Sequence, residues 1–307
     1  MYREKISPAR LGAWMFAATV PVALQLLAGA SWVWVGLAGL AGLVLTWLLG
    51  RSAREPGKWE KVLLTVYVIV LTGELLRPIA DSWPVGNSDP AVPLILLALA
   101  AVSAGKGLSA AARVGAVLFW VVLGLYAMVL LSGVKSVQLS WLSPRWNAPD
   151  LLGLTVYLLP VAALQLKEGE KPIKRGRLTV AFILVGSLVT AGVLSPQMAQ
   201  KMPNAFYEMS RSLELMGVAK RFEALICAGV TIGWFSLLSF LLTLAGSYLQ
   251  GIFPGLGKAV PWIAAGAAGA WRLCGLHIPA WFLLMCGSVF WVVVPLLAQG
   301  LGKIKKS

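Results

Sequence analysis

"VLFWVVLGLYAMVLL", from Val117 to Leu131, contains no charge and no alternation of polar with apolar side chains. A strand of a transmembrane barrel would alternate over about ten residues, one face to lipid and one to the lumen. The run therefore reads as helix in an apolar medium. It stays uncharged from Val114 to Val134, and about 20 helical residues cross a hydrocarbon core of about 30 Å. Comparable runs recur at 10–29, 31–50, 60–80, 90–105, 109–133, 148–166, 177–196, 222–249, 259–275 and 278–301. The fourth and ninth are short. The chain is 59% hydrophobic and 12% charged, with a mean hydropathy of +0.81, against about 45–50% apolar residues in soluble domains. The expectation is an all-α polytopic membrane protein of about ten transmembrane helices, one domain over residues 1–307.

The net charge of +14 raises the question of nucleic acid, and its distribution points elsewhere. With a cytoplasmic N-terminus and ten crossings, 18 of the 26 Lys and Arg residues fall on the inner side, including Arg51, Arg54, Lys58, Lys61 and the cluster from Lys167 to Arg177. That is the positive-inside bias, which needs only lipid headgroups as a partner. Both termini are then cytoplasmic. The basic start and "LAGAS" imitate a signal peptide, but the apolar run from Leu11 to Ala28 exceeds the usual 7–15 residue core, and another follows at once. It reads as an uncleaved first helix.

Cys227, Cys274 and Cys286 lie in apolar runs without CxxC spacing, as small hydrophobes rather than a metal site or disulfide frame. His277 falls at a helix boundary. No paired carboxylates, Cys/His set, P-loop or His-x-x-x-His is present, so neither an enzyme nor a cofactor is expected.

The polar segment "KSVQLSWLSPRWNAPD", Lys135 to Asp150, leaves five runs on each side. Because five is odd, the halves start on opposite sides of the membrane, and kinship between them (about 8–134 and 146–302) would be an inverted repeat. "TVPVALQL" (Thr19–Leu26) and "LLPVAALQL" (Leu158–Leu166) place Pro21 and Pro160 near the middle of the first helix of each half. Proline removes a donor and clashes with the carbonyl four residues back, and interruptions at corresponding places in two halves point to a transporter-type site. Chance is the competing explanation, since Val, Ala and Leu are this chain's commonest alphabet. Between helices seven and eight, "SPQMAQKMPNAFYEMSRSLELMGVAKR" is too polar to span. Phe206, Met209, Leu213 and Met216 recur there at helical spacing after Asn204, giving an amphipathic helix on the surface or folded over the bundle mouth.

"KISPARL" (Lys5–Leu11), "KGLSAAARVGAVLFWVVLG" (Lys106–Gly124), "VQLSWLSP" (Val137–Pro144) and "SLELMGVAKRFEAL" (Ser212–Leu225) together resemble the spore-germination permease family. These are the B subunits of bacterial germinant receptors, within the amino acid–polyamine–organocation (APC) superfamily. The resemblance implies ten helices in the leucine-transporter type of inverted repeat, A and C subunits as partners, and a place in the inner membrane of the spore. It also implies a small solute, such as an amino acid, as ligand. The first helix differs from the superfamily, because "FAATVPVALQL" has Pro21 but no glycine.

The candidate ligand-binding residues are Pro21, Gln25, Glu74, Tyr157, Pro160, Gln165, Thr231 and Ser236. Glu74, in "VYVIVLTGELLRPIADSW", is an ionisable group inside a span, which costs about 2.5–3.5 kcal/mol at a helix centre and so faces a cavity or a partner. It either lines a vestibule or pairs with Arg77 one turn on. Gln25 and Gln165 follow their prolines by four and five residues. Their amides can bond the freed carbonyls or a ligand, or act as interhelical glue at about 0.6 kcal/mol each. The hydroxyls of Thr231, Ser236 and Ser239 serve a ligand or their own helix backbone. Glu223 suits the N-terminal dipole of the eighth helix. Arg113 and Lys106 either stand in for a coupling sodium, as the resemblance suggests, or anchor the inner surface.

Overall fold

The computed structural model describes residues 6–27, 29–50, 56–81, 91–142, 151–166, 176–202, 204–213 and 223–297. Among them there is helix and no strand. The helices are α1 (Pro8–Leu27), α2 (Trp32–Leu49), α3 (Lys58–Asp81), α4 (Ala91–Gly105), α5 (Leu108–Val134), α6 (Leu151–Thr155), α7 (Leu159–Ala163), α8 (Gly176–Leu194), α9 (Pro196–Lys201), α10 (Ala205–Ser212), α11 (Glu223–Ile252), α12 (Val260–Leu273) and α13 (Ala280–Ser288). Short 3₁₀ turns follow α6 and α7, and the helix of α13 widens into a π-turn over Val289–Val293.

Each of the ten apolar runs carries helix. Seven helices are long and apolar enough to cross a membrane, which makes this an all-α, multi-pass membrane protein. Ala91–Gly105 and Leu151–Leu166 are shorter apolar helices, and α12 has 14 residues, a rise of about 21 Å at 1.5 Å per residue.

The core is organised around α1, which is buried on nearly every side. Between helices in lipid there is no hydrophobic drive, and close approach over small residues supplies the packing instead. Here the large side chains of α1 enter glycine notches on its neighbours: Trp14 lies against Gly115 of α5, Pro21 against Gly233 of α11, Leu24 against Gly186 of α8, and Leu27 against Gly153 of α6. At each of these four glycines a Cβ would collide with the intruding side chain.

Around this centre, α11 packs on α3, α4 and α5, α12 on α3, α4 and α11, and α2 on α7 and α8, while α13 packs on α6 and α3. The faces turned away from these contacts carry exposed Trp34, Leu40, Trp47, Val117, Trp120 and Leu131, an apolar exterior suited to lipid.

The amphipathic segment folds over the bundle. α10 packs on α1, α5, α8 and α11, with Phe206, Met209 and Leu213 buried and Phe206 stacked on Tyr126 of α5, ring centroids 5.3 Å apart. Asn204 is its N-cap residue, without a side-chain capping bond. Met216, Lys220 and Arg221, the loop after Leu142, the 167–175 cluster and the chain termini lie outside the described residues.

Candidate functional site

The sixth apolar segment is the irregular one, and its course follows from Pro160. In a regular α-helix the Val156 carbonyl would accept from the amide of residue 160, but proline has no N–H. The Leu159 amide bonds to the Val156 carbonyl instead. That i to i+3 bond tightens Val156–Leu158 into a 3₁₀ turn, and Thr155 Oγ1 adds another local bond to the Leu152 carbonyl at 2.6 Å.

The tightened turn sets Tyr157 against α2. Gly42 is needed there, because a Cβ would sit 3.1 Å from the Tyr157 carbonyl oxygen, and a Cβ on Gly39 would meet the Tyr157 ring and Val180. A cavity of about 20 Å3, counted as space for water centres, lies between α1, α2, α8 and this turn. About 10–15 Å3 on that measure holds one water. Its walls include Met15 and Thr19 of α1, Leu43 and Thr46 of α2, Thr179 and Val180 of α8, and Tyr157 and Pro160.

Two of these polar groups stand out. Thr19 Oγ1 and Tyr157 OH are buried without a hydrogen-bond partner among the described residues. Thr46 is satisfied, donating to the Gly42 carbonyl at 2.6 Å. Buried polar groups are nearly always paired, so two unpaired hydroxyls on one cavity call for a specific explanation. Each hydroxyl can both donate and accept, and the other polar side chains of the walls are Thr46 and Thr179. The space is that of one or two water molecules.

Of the sequence candidates, Tyr157 and Pro160 line this cavity, while Pro21 does not. The expected break at Pro21 is corrected by the structure: α1 runs as continuous α-helix from Pro8 to Leu27. Its proline ring sits in the Gly233 notch, between two hydrogen bonds that tie α1 to α11. Trp14 Nε1 donates to the Ser236 carbonyl at 3.2 Å, and Trp234 Nε1 donates to Gln25 Oε1 at 2.6 Å. The two segments are adjacent, since α1 packs on α6 and α7, but only the sixth is interrupted.

The two glutamines do not share a cavity. Gln25 accepts from Trp234, while Gln165 accepts from the Tyr248 hydroxyl. Both partners lie on α11, and their fourteen-residue separation corresponds to about 21 Å along the helix. The amides are bridges to α11 at two different depths. Thr231 Oγ1 donates to the Cys227 carbonyl of its own helix at 2.7 Å. Ser236 and Ser239 have buried hydroxyls without partners among the described residues, and neither lines the cavity.

Glu74 is 5% exposed and fully engaged elsewhere. Its Oε1 accepts from Trp271 Nε1 at 3.1 Å and from the Ile278 amide at 2.8 Å, and Oε2 lies 3.0 Å from His277 Nδ1. Gly73 gives the Trp271 ring its seat. The carboxylate thus clamps α3 to α12 and to the turn leading into α13. Of the two alternatives for Glu74, the pairing with Arg77 gives way to a contact of Arg77 with His277 Nδ1 at 3.0 Å. One nitrogen cannot accept from Arg77 while donating to Glu74, so the proton on Nδ1 decides which of the two it serves. Arg113 is exposed and reaches Ser109 Oγ at 3.3 Å. No group of three potential metal ligands occurs among the described residues.

Thr19 is the cavity residue that motif reading passed over. Its signal was a hydroxyl two residues before Pro21 in an otherwise apolar run. The partners Trp14, Trp234 and Trp271 carry no local signal, since tryptophan in a membrane helix also reads as lipid-facing.

Because Pro160 creates the turn, Pro160→Ala restores a donor for the Val156 carbonyl and is expected to straighten the segment. We expect normal insertion with ligand affinity about five- to tenfold weaker, the value of about one hydrogen bond. Pro21→Ala should change affinity by less than about twofold, since Ala supports the same helix. Ligand titrations followed by thermal unfolding check both, and an equal loss in the two variants would overturn the assignment of the turn to Pro160. In comparison with known proteins, no family model matches the chain, and no curated protein matches it.

Proposed function

We propose that this chain is a permease-like membrane subunit that senses or transports a small solute, of the germinant-receptor B type that its sequence resembles. A and C subunits would be its partners and the inner spore membrane its place. The observation that carries the reading is the interrupted sixth helix lying against α1, with a cavity and two unpaired buried hydroxyls at the interruption. Irregular backbone at membrane depth is tolerated where protein buries it or it lines a cavity, and solute sites form at such interruptions.

A five-plus-five inverted repeat is supported by the packing. Numbering the apolar segments one to ten, exchange of each segment with the one five places away maps many contacts onto other contacts. Segments one and six, two and seven, three and eight, and four and nine touch one another. The contact of one with five is matched by six with ten, four with eight by nine with three, and one with seven by six with two. A pseudo-twofold axis in the membrane plane would give such correspondences, and the contact of one with eight is the main one that lacks its counterpart.

Binding stabilises the folded state by RT ln(1 + [L]/Kd), so a solute that raises the unfolding temperature of the purified chain supports sensing. Uptake into proteoliposomes would extend that to transport. No stabilisation by any of a broad solute panel would leave a ligand-free assembly protein of the same fold. The charge distribution supports a cytoplasmic position for both termini. After replacement of the native cysteines, a cysteine at Asn204 should be labelled from outside intact cells and one at Ser307 should not; labelling of the latter sinks the orientation.

A further inference from the structure

We propose that His277 is a proton-operated latch between α3 and the turn that leads from α12 into α13: the neutral ring holds Arg77, and the protonated ring releases Arg77 and binds Glu74 alone. The latch uses none of the cavity residues and stands apart from the solute-binding reading.

Two distances carry it. His277 Nδ1 lies 3.0 Å from Arg77 Nη1 and 3.0 Å from Glu74 Oε2. A guanidinium only donates and a carboxylate only accepts. The nitrogen between them must therefore accept from Arg77 or donate to Glu74, and it cannot do both at once. The neutral ring has a form for each, with its proton on Nε2 or on Nδ1. The imidazolium carries N–H on both nitrogens and has no acceptor, so Arg77 loses its bond and faces a like charge at the same distance.

The surroundings fix one partner and leave the other free to move. Glu74 is 5% exposed, and its Oε1 is held by Trp271 Nε1 and the Ile278 amide, so the carboxylate keeps its place in either state. Arg77 is half-buried and has no hydrogen-bond partner besides His277 among the described residues. The His277 side chain is 54% exposed, which gives protons access to the ring. Histidine is the side chain whose ordinary titration falls between pH 5 and 8.

The other titratable or charged groups at this end, among the described residues, are Asp81 on α3, Arg272 on α12 and Cys274 just after it; α4 and α6 carry none, and α13 only Cys286. Arg272 adds a second positive charge and so works with Arg77 against the imidazolium. Asp81 is exposed and four residues on from Arg77, a spacing that makes neighbours on a helix surface. It offers a carboxylate to the guanidinium once the ring has released it. On the orientation proposed above, this turn lies on the side opposite both termini, and that side's pH sets the latch.

His277 is the chain's one histidine, so nitrogen-15 resonances of the histidine-labelled full chain, purified in detergent micelles without a histidine tag, report this ring alone. At pH 8 the wild-type ring is expected mainly in the Nε2–H form, with Nδ1 accepting from Arg77. Arg77→Met keeps the aliphatic stem and should move the ring to the Nδ1–H form that serves Glu74. At pH 5 both nitrogens should be protonated, and the two spectra should agree. Nδ1–H throughout the wild type at pH 8, no change of form in Arg77→Met, or a ring still neutral at pH 5 would each overturn the latch.

A double-mutant cycle of unfolding between Arg77→Met and His277→Ala reads the release itself. At pH 8 the coupling should change the unfolding constant by about two- to fivefold, the value of an exposed pair. At pH 5 it should vanish or reverse in sign. The same coupling at both pH values would mean that protonation does not release Arg77, and would also overturn the proposal.

Discussion

Glu74→Ala is expected to destabilise the folded bundle by about 3 kcal/mol, since interhelical bonds in membranes average about 0.6 kcal/mol, charge assistance roughly doubles each, and three are lost. The three partners are Trp271 Nε1 and the Ile278 amide, which donate, and His277 Nδ1, which donates to Glu74 when it carries the proton. They come from α12 and from the turn before α13, so the substitution loosens two elements from α3 together. The cost of holding a carboxylate in the bilayer does not offset this, because the inserted but unpacked chain carries the same carboxylate. Glu74→Gln keeps an acceptor for Trp271 and Ile278 and sets an amide against His277, and should cost only about 1 kcal/mol. Unfolding of the two variants in mixed micelles checks the order. Equal stability of Glu74→Ala and the wild-type chain would mean that the clamp contributes nothing.

Gly233→Leu is expected to be the most damaging single substitution at the centre of the bundle, costing more than about 3 kcal/mol, above the usual 1–3 kcal/mol for overpacking. The position is the notch for Pro21, and a Cβ there already collides with the proline ring. A leucine would force α1 and α11 apart where the Trp14–Ser236 and Trp234–Gln25 bonds join them, so packing and hydrogen bonding fail together. The smaller Gly233→Ala should cost about 2 kcal/mol on the same scale. Pro21→Gly introduced into Gly233→Ala removes the colliding ring and its Cβ, and is expected to recover about 1 kcal/mol relative to additivity, within the range seen for residues in contact. Additive losses in that double-mutant cycle would show that the two residues do not press on one another.

Membrane embedding and the positions of the ten apolar helical segments were legible in the sequence. Helix formation and burial in lipid depend on local runs, and Val114–Val134 carries that information within itself. A candidate interruption in the sixth segment was legible too, because a proline's missing donor always frees the carbonyl four residues back, but the same reading applied to Pro21, where the helix continues. The amphipathic spacing of Phe206, Met209 and Leu213 likewise announced α10, though its folding over α5 needed Tyr126 to be in place as a partner. Glu74 announced that it must have partners and could not announce which ones, because Trp271, His277 and Ile278 lie about two hundred residues away in sequence.

The twin "PVA" and "LQ" motifs mark where local reading ended. Both prolines remove a donor, yet one helix continues unbroken and the other tightens, and both glutamines bond to α11 at different depths. The difference lies in what each proline meets: Pro21 enters a glycine notch on α11 between two indole hydrogen bonds, while Pro160 borders the cavity beside α2. Tertiary packing alone decided this, because the strength of a helix at a proline depends on neighbours that the surrounding eight residues do not encode.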